Sequence, residues 1–161
     1  MTDDLTVWGV GTPRTLRVHW MMEELGLDYL CRPIRTRTGE TETAEYLALN
    51  PKHKIPLLQH GPLVLTETAA IVTYLSETFE TPADFFVPKD PPRRARLNEL
   101  CFFLLTELDA PLYLIRRHLD LAHIYGEAPT AVASARNYFS ELAGAHLEIW
   151  DGDGFLMPEG M

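Results

Sequence analysis

The sequence predicts an α/β module followed by an all-helical one, and three features carry that prediction. Through residues 1–80, β-prone segments alternate with segments of helical periodicity. Across residues 81–92, prolines at 82, 88, 91 and 92 interrupt the pattern and form a stiffened linker. From residue 93 onward, the chain reads as helical throughout.

The elements follow in order. "LTVWGV" (5–10) alternates and reads as a strand. Residues 13–25 carry Leu16, Trp20, Met21 and Leu25 at helical spacing, and Gly26 follows as a stop. "DYLCRPI" (28–34) reads as a second strand, and the polar "RTRTGETET" as a loop. "TAEYLALN" forms a short helix that stops at Asn50-Pro51. "IPLLQHG" and "PLVLTE" are two short strands joined through a Gly-Pro turn. Residues 67–79 place Ile71, Val72, Leu75 and Phe79 on one helix face. The order is therefore βαβαββα. In the helical half, residues 93–109 contain "CFFLL", a run too continuous for one stripe, so that helix is expected to be buried on more than one side, either within its domain or against a second subunit. Pro111 is expected to bend or restart it. Residues 128–150 form a last helix with Val132, Ala135, Phe139, Leu142, His146 and Ile149 near one face.

Bulk properties narrow the function. In 161 residues, 46% are hydrophobic, enough for a core. The formal net charge of −9 argues against nucleic acid as the main partner, because such a surface needs clustered cations. No apolar run approaches the ~20 residues that span a bilayer, so no membrane is implied. The start of the chain shows no basic-then-apolar leader. The two cysteines, Cys31 and Cys101, form no C-x-x-C pair, so neither a dithiol centre nor a cysteine metal site is offered. A cytoplasmic protein with free thiols is expected.

The first helix raises a question of chemistry. Thr12 suits an N-cap and Pro13 suits the first helical position, where a missing N–H costs nothing. A helix N-terminus also favours an anion such as a thiolate or carboxylate. "TPRTLRV" (12–18) resembles the S-x-x-x-x-R-V opening of the first helix in serine-type glutathione transferases. "LNPKHKIPLLQHGPLVLTETAAIVTYL" (49–75) is similar to the same superfamily's N-P-x-x-K-[IV]-P-x-L … E-S-x-A-I-x-x-Y-L pattern, in the right order and separation.

The resemblance implies a thioredoxin-like first domain (1–80) that binds glutathione, and a helical second domain (93–161) that is short for the family. It places Thr12 where those enzymes carry their catalytic Ser, with Thr15, one turn on, as the alternative hydroxyl. Lys54, with His53, falls where the glycine carboxylate is held; Ile55 would pair through its backbone with the cysteinyl unit, and Pro56 falls on the family's cis proline. Glu67 and Thr68 fall on the Glu-Ser pair that holds the γ-glutamyl end. Glu107, in "TELDAP", falls where some bacterial members place an acid that reaches across a dimer. Arg14 stands where cysteine-type members place their cysteine, which argues against that mechanism. Arg35 and Arg37 suit a solvated loop better than a carboxylate site.

Such a site would act on a simple energy scale. A free thiol ionises near pH 8.5, and lowering that by about two units needs about 2.7 kcal/mol. One hydrogen bond to a charged group contributes about 1.5–3 kcal/mol, and a helix N-terminus adds about 0.3–1. One hydroxyl at that helix end is thus about sufficient, with no general base and no metal. "DGDG" (151–154) lacks the later ligands of a calcium loop, and His118 and His123 lie on different helix faces. The expectation is a homodimeric, detoxification-type glutathione transferase acting on a small electrophile. The alternatives are an isomerase, dehalogenase or peroxidase of the same fold, or a binding module without catalysis.

Overall fold

The computed structural model describes residues 4–82, 85 and 87–151, with side chains given up to residue 142. The chain divides into two units between Lys89 and Asp90. The first contains β1 (Leu5–Trp8), α1 (Pro13–Glu24), β2 (Leu30–Arg32), α2 (Ala44–Leu49), β3 (Leu57–His60), β4 (Leu63–Thr66) and α3 (Thr68–Thr78). A single 3-10 turn, Glu40–Glu42, precedes α2. The predicted βαβαββα order is therefore present.

The sheet order is β2-β1-β3-β4. β1 pairs parallel with β2, in the register Val7 to Cys31, and antiparallel with β3, in the register Val7 to Leu58. β4 runs antiparallel beside β3. The parallel β1–β2 pair needs a crossover, which α1 supplies. A mixed four-stranded sheet with these helices is a thioredoxin-like domain.

Strand alternation sends side chains to two cores, one on each face of the sheet. On one face Leu5, Val7 and Leu58 meet Val18, Met21 and Met22 of α1 and Ile71 and Leu75 of α3. On the other, Trp8 and Leu57 meet Tyr46 of α2 and Ile55. The face read for α3 is buried as expected. That for α1 is only partly so: Leu16 and Trp20 are each 62% exposed, and the buried face is built from Thr15, Val18, Met21 and Met22. Leu16 and Trp20 share a face by their spacing of four, but the sheet lies on the other side. Trp20 Nε1 donates to Glu24 at the surface.

The second unit is helical: α4 (Pro91–Phe103), a π-helical segment (Leu104–Asp109), α5 (Ala110–His118), α6 (Ala122–Tyr125) and α7 (Pro129–Asp151). Asp90 caps α4 by accepting from the Arg93 N–H. Within the chain itself, the multi-sided burial expected of residues 93–109 is not found: neither α4 nor the π segment has a fully buried side chain, and Phe102 is 65% exposed, which leaves the alternative of burial against a second subunit. The α-helix restarts at Pro111 as expected: α5 begins at Ala110 with the proline in its first turn, and the π segment joins it to α4. Pro111 has no N–H for an i→i−4 bond, and the Ala110 N–H bonds the Leu105 carbonyl, one residue wider than α-helical pairing. Val132 and Ala135 of α7 are buried as read, with Phe139 and Leu142 half-buried. The His146 and Ile149 side chains and residues 152–154 of "DGDG" lie outside the described set. His118 ends α5, with Nδ1 2.9 Å from the Gly126 carbonyl, and His123 lies on the separate α6.

Candidate functional site

Thr12 closes α1 with a reciprocal capping box. Its backbone is extended (φ −128°, ψ 154°) and its Oγ1 accepts from the Thr15 N–H at 3.1 Å. The Thr15 hydroxyl accepts from the Thr12 N–H at 3.0 Å and donates to the Thr12 carbonyl at 2.8 Å. Thr15 is 1% exposed, so its hydroxyl is committed inside the cap. Thr12 is half-buried, and its own proton has the Thr15 Oγ1 as partner at 3.2 Å, a long contact for a hydroxyl. Of the two hydroxyls named from sequence, Thr12 is the one that can turn toward a ligand.

Two close approaches bring the other segments to that cap. The first is at Gly9, whose φ of +110° suits glycine. A Cβ there would lie 2.5 Å from the Ile55 Cβ, so the β1–α1 loop rests directly on Ile55. The second is at Thr68, buried at the start of α3, whose hydroxyl donates to the Arg14 carbonyl at 3.4 Å. The first turns of α1 and α3 are thereby linked.

The Ile55-Pro56 peptide bond is cis, and both residues are buried. The segment before it is pinned by groups the sequence reading did not single out. The Tyr46 hydroxyl and the Asn50 amide both donate to the Lys54 carbonyl, at 2.5 and 2.7 Å. Asn50 Oδ1 accepts from the Lys52 N–H at 3.1 Å. Burial pushes the Tyr46 phenol up, which keeps it protonated as a donor. His53 sits at φ +56°, and its side chain and that of Lys54 are exposed.

Glu67 occupies the N-cap position of α3 with φ +72°, an unusual conformation for a residue with a Cβ. Its carboxylate does not cap the helix. It pairs with Lys52, whose Nζ lies 2.6 Å from Glu67 Oε1 and 2.7 Å from Thr66 Oγ1. The basic residue beside Glu67 is thus Lys52, which the sequence reading did not single out; His53 and Lys54 were named for a different group, the glycine carboxylate. The only hint was the basic run "KHK" at 52–54, which gives no way to choose among its members. Glu107, in the π segment of the other unit, accepts from the Tyr138 hydroxyl and from Thr106. That hydrogen bond, more than burial, pushes the Tyr138 phenol up. Arg35 and Arg37 lie in a loop where Glu40 accepts from the Arg35 N–H and the Thr38 hydroxyl.

Residues 3–77 match the family described as glutathione S-transferase, N-terminal domain. The first unit is a glutathione S-transferase N-terminal domain. Glutathione S-transferase A of Pleuronectes platessa is 28% identical over 155 residues, covering 94% of this chain and 66% of that protein. The disulfide-bond oxidoreductase YghU of Escherichia coli is 29% identical, covering 91% of this chain and 51% of that protein. Among solved structures, the theta class glutathione S-transferase of Xanthomonas axonopodis pv. citri, with glutathione bound, superposes with a TM-score of 0.76 at 26% identity, covering 91% of this chain and 70% of that one. The chain thus spans about two thirds or less of these sequence relatives. Among the described residues no helix is long and apolar enough to cross a membrane, and no group of three or more His, Cys, Asp and Glu is placed to hold a metal.

Proposed function

We propose that this chain binds glutathione and activates its thiol as a thiolate for transfer to a small electrophile. The observation that supports the reading best is convergence. The capped end of α1 lies tens of residues before the cis Ile55-Pro56 segment and the first turn of α3, and direct contacts draw each of these to the start of α1 or to the loop before it.

In this reading the tripeptide lies extended along the segment that leads into β3, where the Ile55 backbone pairs with the cysteinyl unit in the manner of an added strand. Its sulfur faces the Thr12 hydroxyl. The thiolate replaces the Thr15 Oγ1 as acceptor of the Thr12 proton, a better acceptor in place of a 3.2 Å contact. Thr15 keeps the Thr12 backbone in place. The γ-glutamyl ammonium meets Glu67, and its carboxylate meets Thr68 at the start of α3 and Lys52, so that the Lys52–Glu67 pair is exchanged for two ligand contacts. His53 and Lys54 take the glycine carboxylate. A homodimer, to which Glu107 would contribute across the interface, and a cytoplasmic setting suited to the free Cys31 and Cys101 belong to the same reading.

The test joins retention on immobilised glutathione to a thiol-conjugation assay. Thr12→Ala is expected to remain bound while turnover falls about a hundredfold or more, the equivalent of one hydrogen bond to a charged group with its share of the helix end. Unchanged turnover in that variant defeats the assignment. A second reading, binding without catalysis, is favoured by the Thr12 hydroxyl being already engaged with Thr15; retention of the unaltered chain without any turnover would select it.

A further inference from the structure

We propose that His19 is a positioning residue for the thiol-activating hydroxyl, acting as a staple between the body of α1 and the loop that precedes it. This rests on the glutathione reading above and extends it to a residue outside the ligand's reach.

His19 lies on α1, seven positions after Thr12 in the sequence, and is half-buried. Its Nε2 is 2.9 Å from the Gly9 carbonyl and its Nδ1 is 2.8 Å from the Tyr29 hydroxyl. A carbonyl can only accept, so Nε2 carries the proton and Nδ1 is left to accept from Tyr29. The Tyr29 phenol is suited to that role, because burial, with Glu23 and Cys31 adding to it, pushes it up and keeps it protonated. The rings also pack, with centroids 5.6 Å apart. One imidazole therefore joins three segments: α1, the β1–α1 loop, and the residue just before β2.

The Gly9 carbonyl is the point where such a bond has most leverage. The loop from Gly9 to Thr12 has two glycines with positive φ, Gly9 at +110° and Gly11 at +78°, which gives it little stiffness of its own. Its first two amides are tied on one side, Gly9 N–H to the Arg32 carbonyl and Val10 N–H to the Ile34 carbonyl, and the Thr12 N–H is tied to the Thr15 hydroxyl within the cap. His19 holds the Gly9 carbonyl, and Gly9 rests on Ile55. The position of the Thr12 hydroxyl relative to the Ile55 backbone thus passes through His19. Catalytic geometry is sensitive at this scale: a displacement of about 1 Å costs about a hundredfold in rate.

The test uses the full chain and two readouts. In the ligand-free protein, His19→Ala is expected to speed hydrogen exchange at the Val10 and Thr15 amides about tenfold, while amides of β3 and α3 are unchanged. With glutathione bound, the same variant is expected to raise the bound thiol's pKa by about one unit, tenfold less thiolate below that pKa, and to lower kcat with KM for glutathione little altered. His19→Gln, which keeps an N–H at the Nε2 position, restores both readouts. Tyr29→Phe, which removes one hydroxyl and leaves the packing, moves both in the same direction by less, and it decides the matter should His19→Ala fail to fold. Exchange rates and thiol pKa equal to the parent in these variants, or a change confined to KM, overturns the proposal. Failure of the parent chain to bind glutathione defeats the transferase reading instead, and the exchange experiment still decides whether the staple exists.

Discussion

Gly9 makes the sharpest case for what one residue does here. It combines a positive φ with a missing side chain that Ile55 fills. Gly9→Ala is expected to cost about 3 kcal/mol or more, from a backbone strained for alanine and a Cβ driven into Ile55. Urea denaturation would measure it, and a loss under about 1 kcal/mol would mean that the loop moves aside easily. Lys52 and Glu67 behave differently. Their side chains are 50% and 72% exposed, so the pair stabilises the fold by no more than about 1 kcal/mol, while its groups face the proposed ligand head. Lys52→Ala is expected to leave the urea midpoint almost unmoved and to weaken glutathione binding about fivefold by calorimetry, about 1 kcal/mol. Thr12, Thr15, Glu67 and Thr68 were legible because capping and motif spacing are local signals. Lys52 and His19 were not, because their partners stand 15 and 10 residues away in a different element or loop.

At the scale of elements, the strand and helix order follows from periodicity, and the deviations have identifiable causes. Of the stripe read on α1, Leu16 and Trp20 face solvent while Met21 and Leu25 pack on the core, because what buries a face is the neighbouring layer and not hydrophobicity alone. The π segment at Leu104–Asp109 could not be read, since a missing N–H at Pro111 predicts some disturbance without saying whether the helix kinks, stops or widens. The 35–40 loop offers a test by pH. Glu40 is held below the usual carboxylate range, chiefly by the Thr38 hydroxyl and then by the Arg35 N–H. A depressed folded-state pKa contributes stability above the unfolded value, and that contribution is lost as pH falls through the folded one. Thr38→Val is expected to return the Glu40 pKa toward the ordinary carboxylate value, so that the loop loosens at a higher pH. An NMR titration of Glu40 that shows no shift would contradict this.

For the molecule as a whole, the two units differ in how they are cored. The first has two apolar clusters drawn entirely from residues 5–79, one on each face of its sheet. In the second, only Pro111, Val132 and Ala135 are buried among the described side chains, and Phe102, Leu104, Leu112, Leu119 and Ile124 are exposed. A fragment of residues 1–89 is therefore expected to unfold cooperatively on its own, and a fragment of residues 90–161 is not. Thermal melts followed by circular dichroism would check both, with a broad, non-cooperative melt for the first fragment counting against a self-sufficient core.

By itself the sequence determined the element order and the cap at Thr12, since each rests on the chemistry of a few neighbouring residues, and its resemblance to a known family singled out the Ile55-Pro56 and Glu67-Thr68 segments. Only the tertiary structure decided which side of α1 is buried, which lysine meets Glu67, and that His19 holds Gly9. Those outcomes depend on contacts between segments distant in the chain, and the spacing of residues along one element carries no record of what will pack against it.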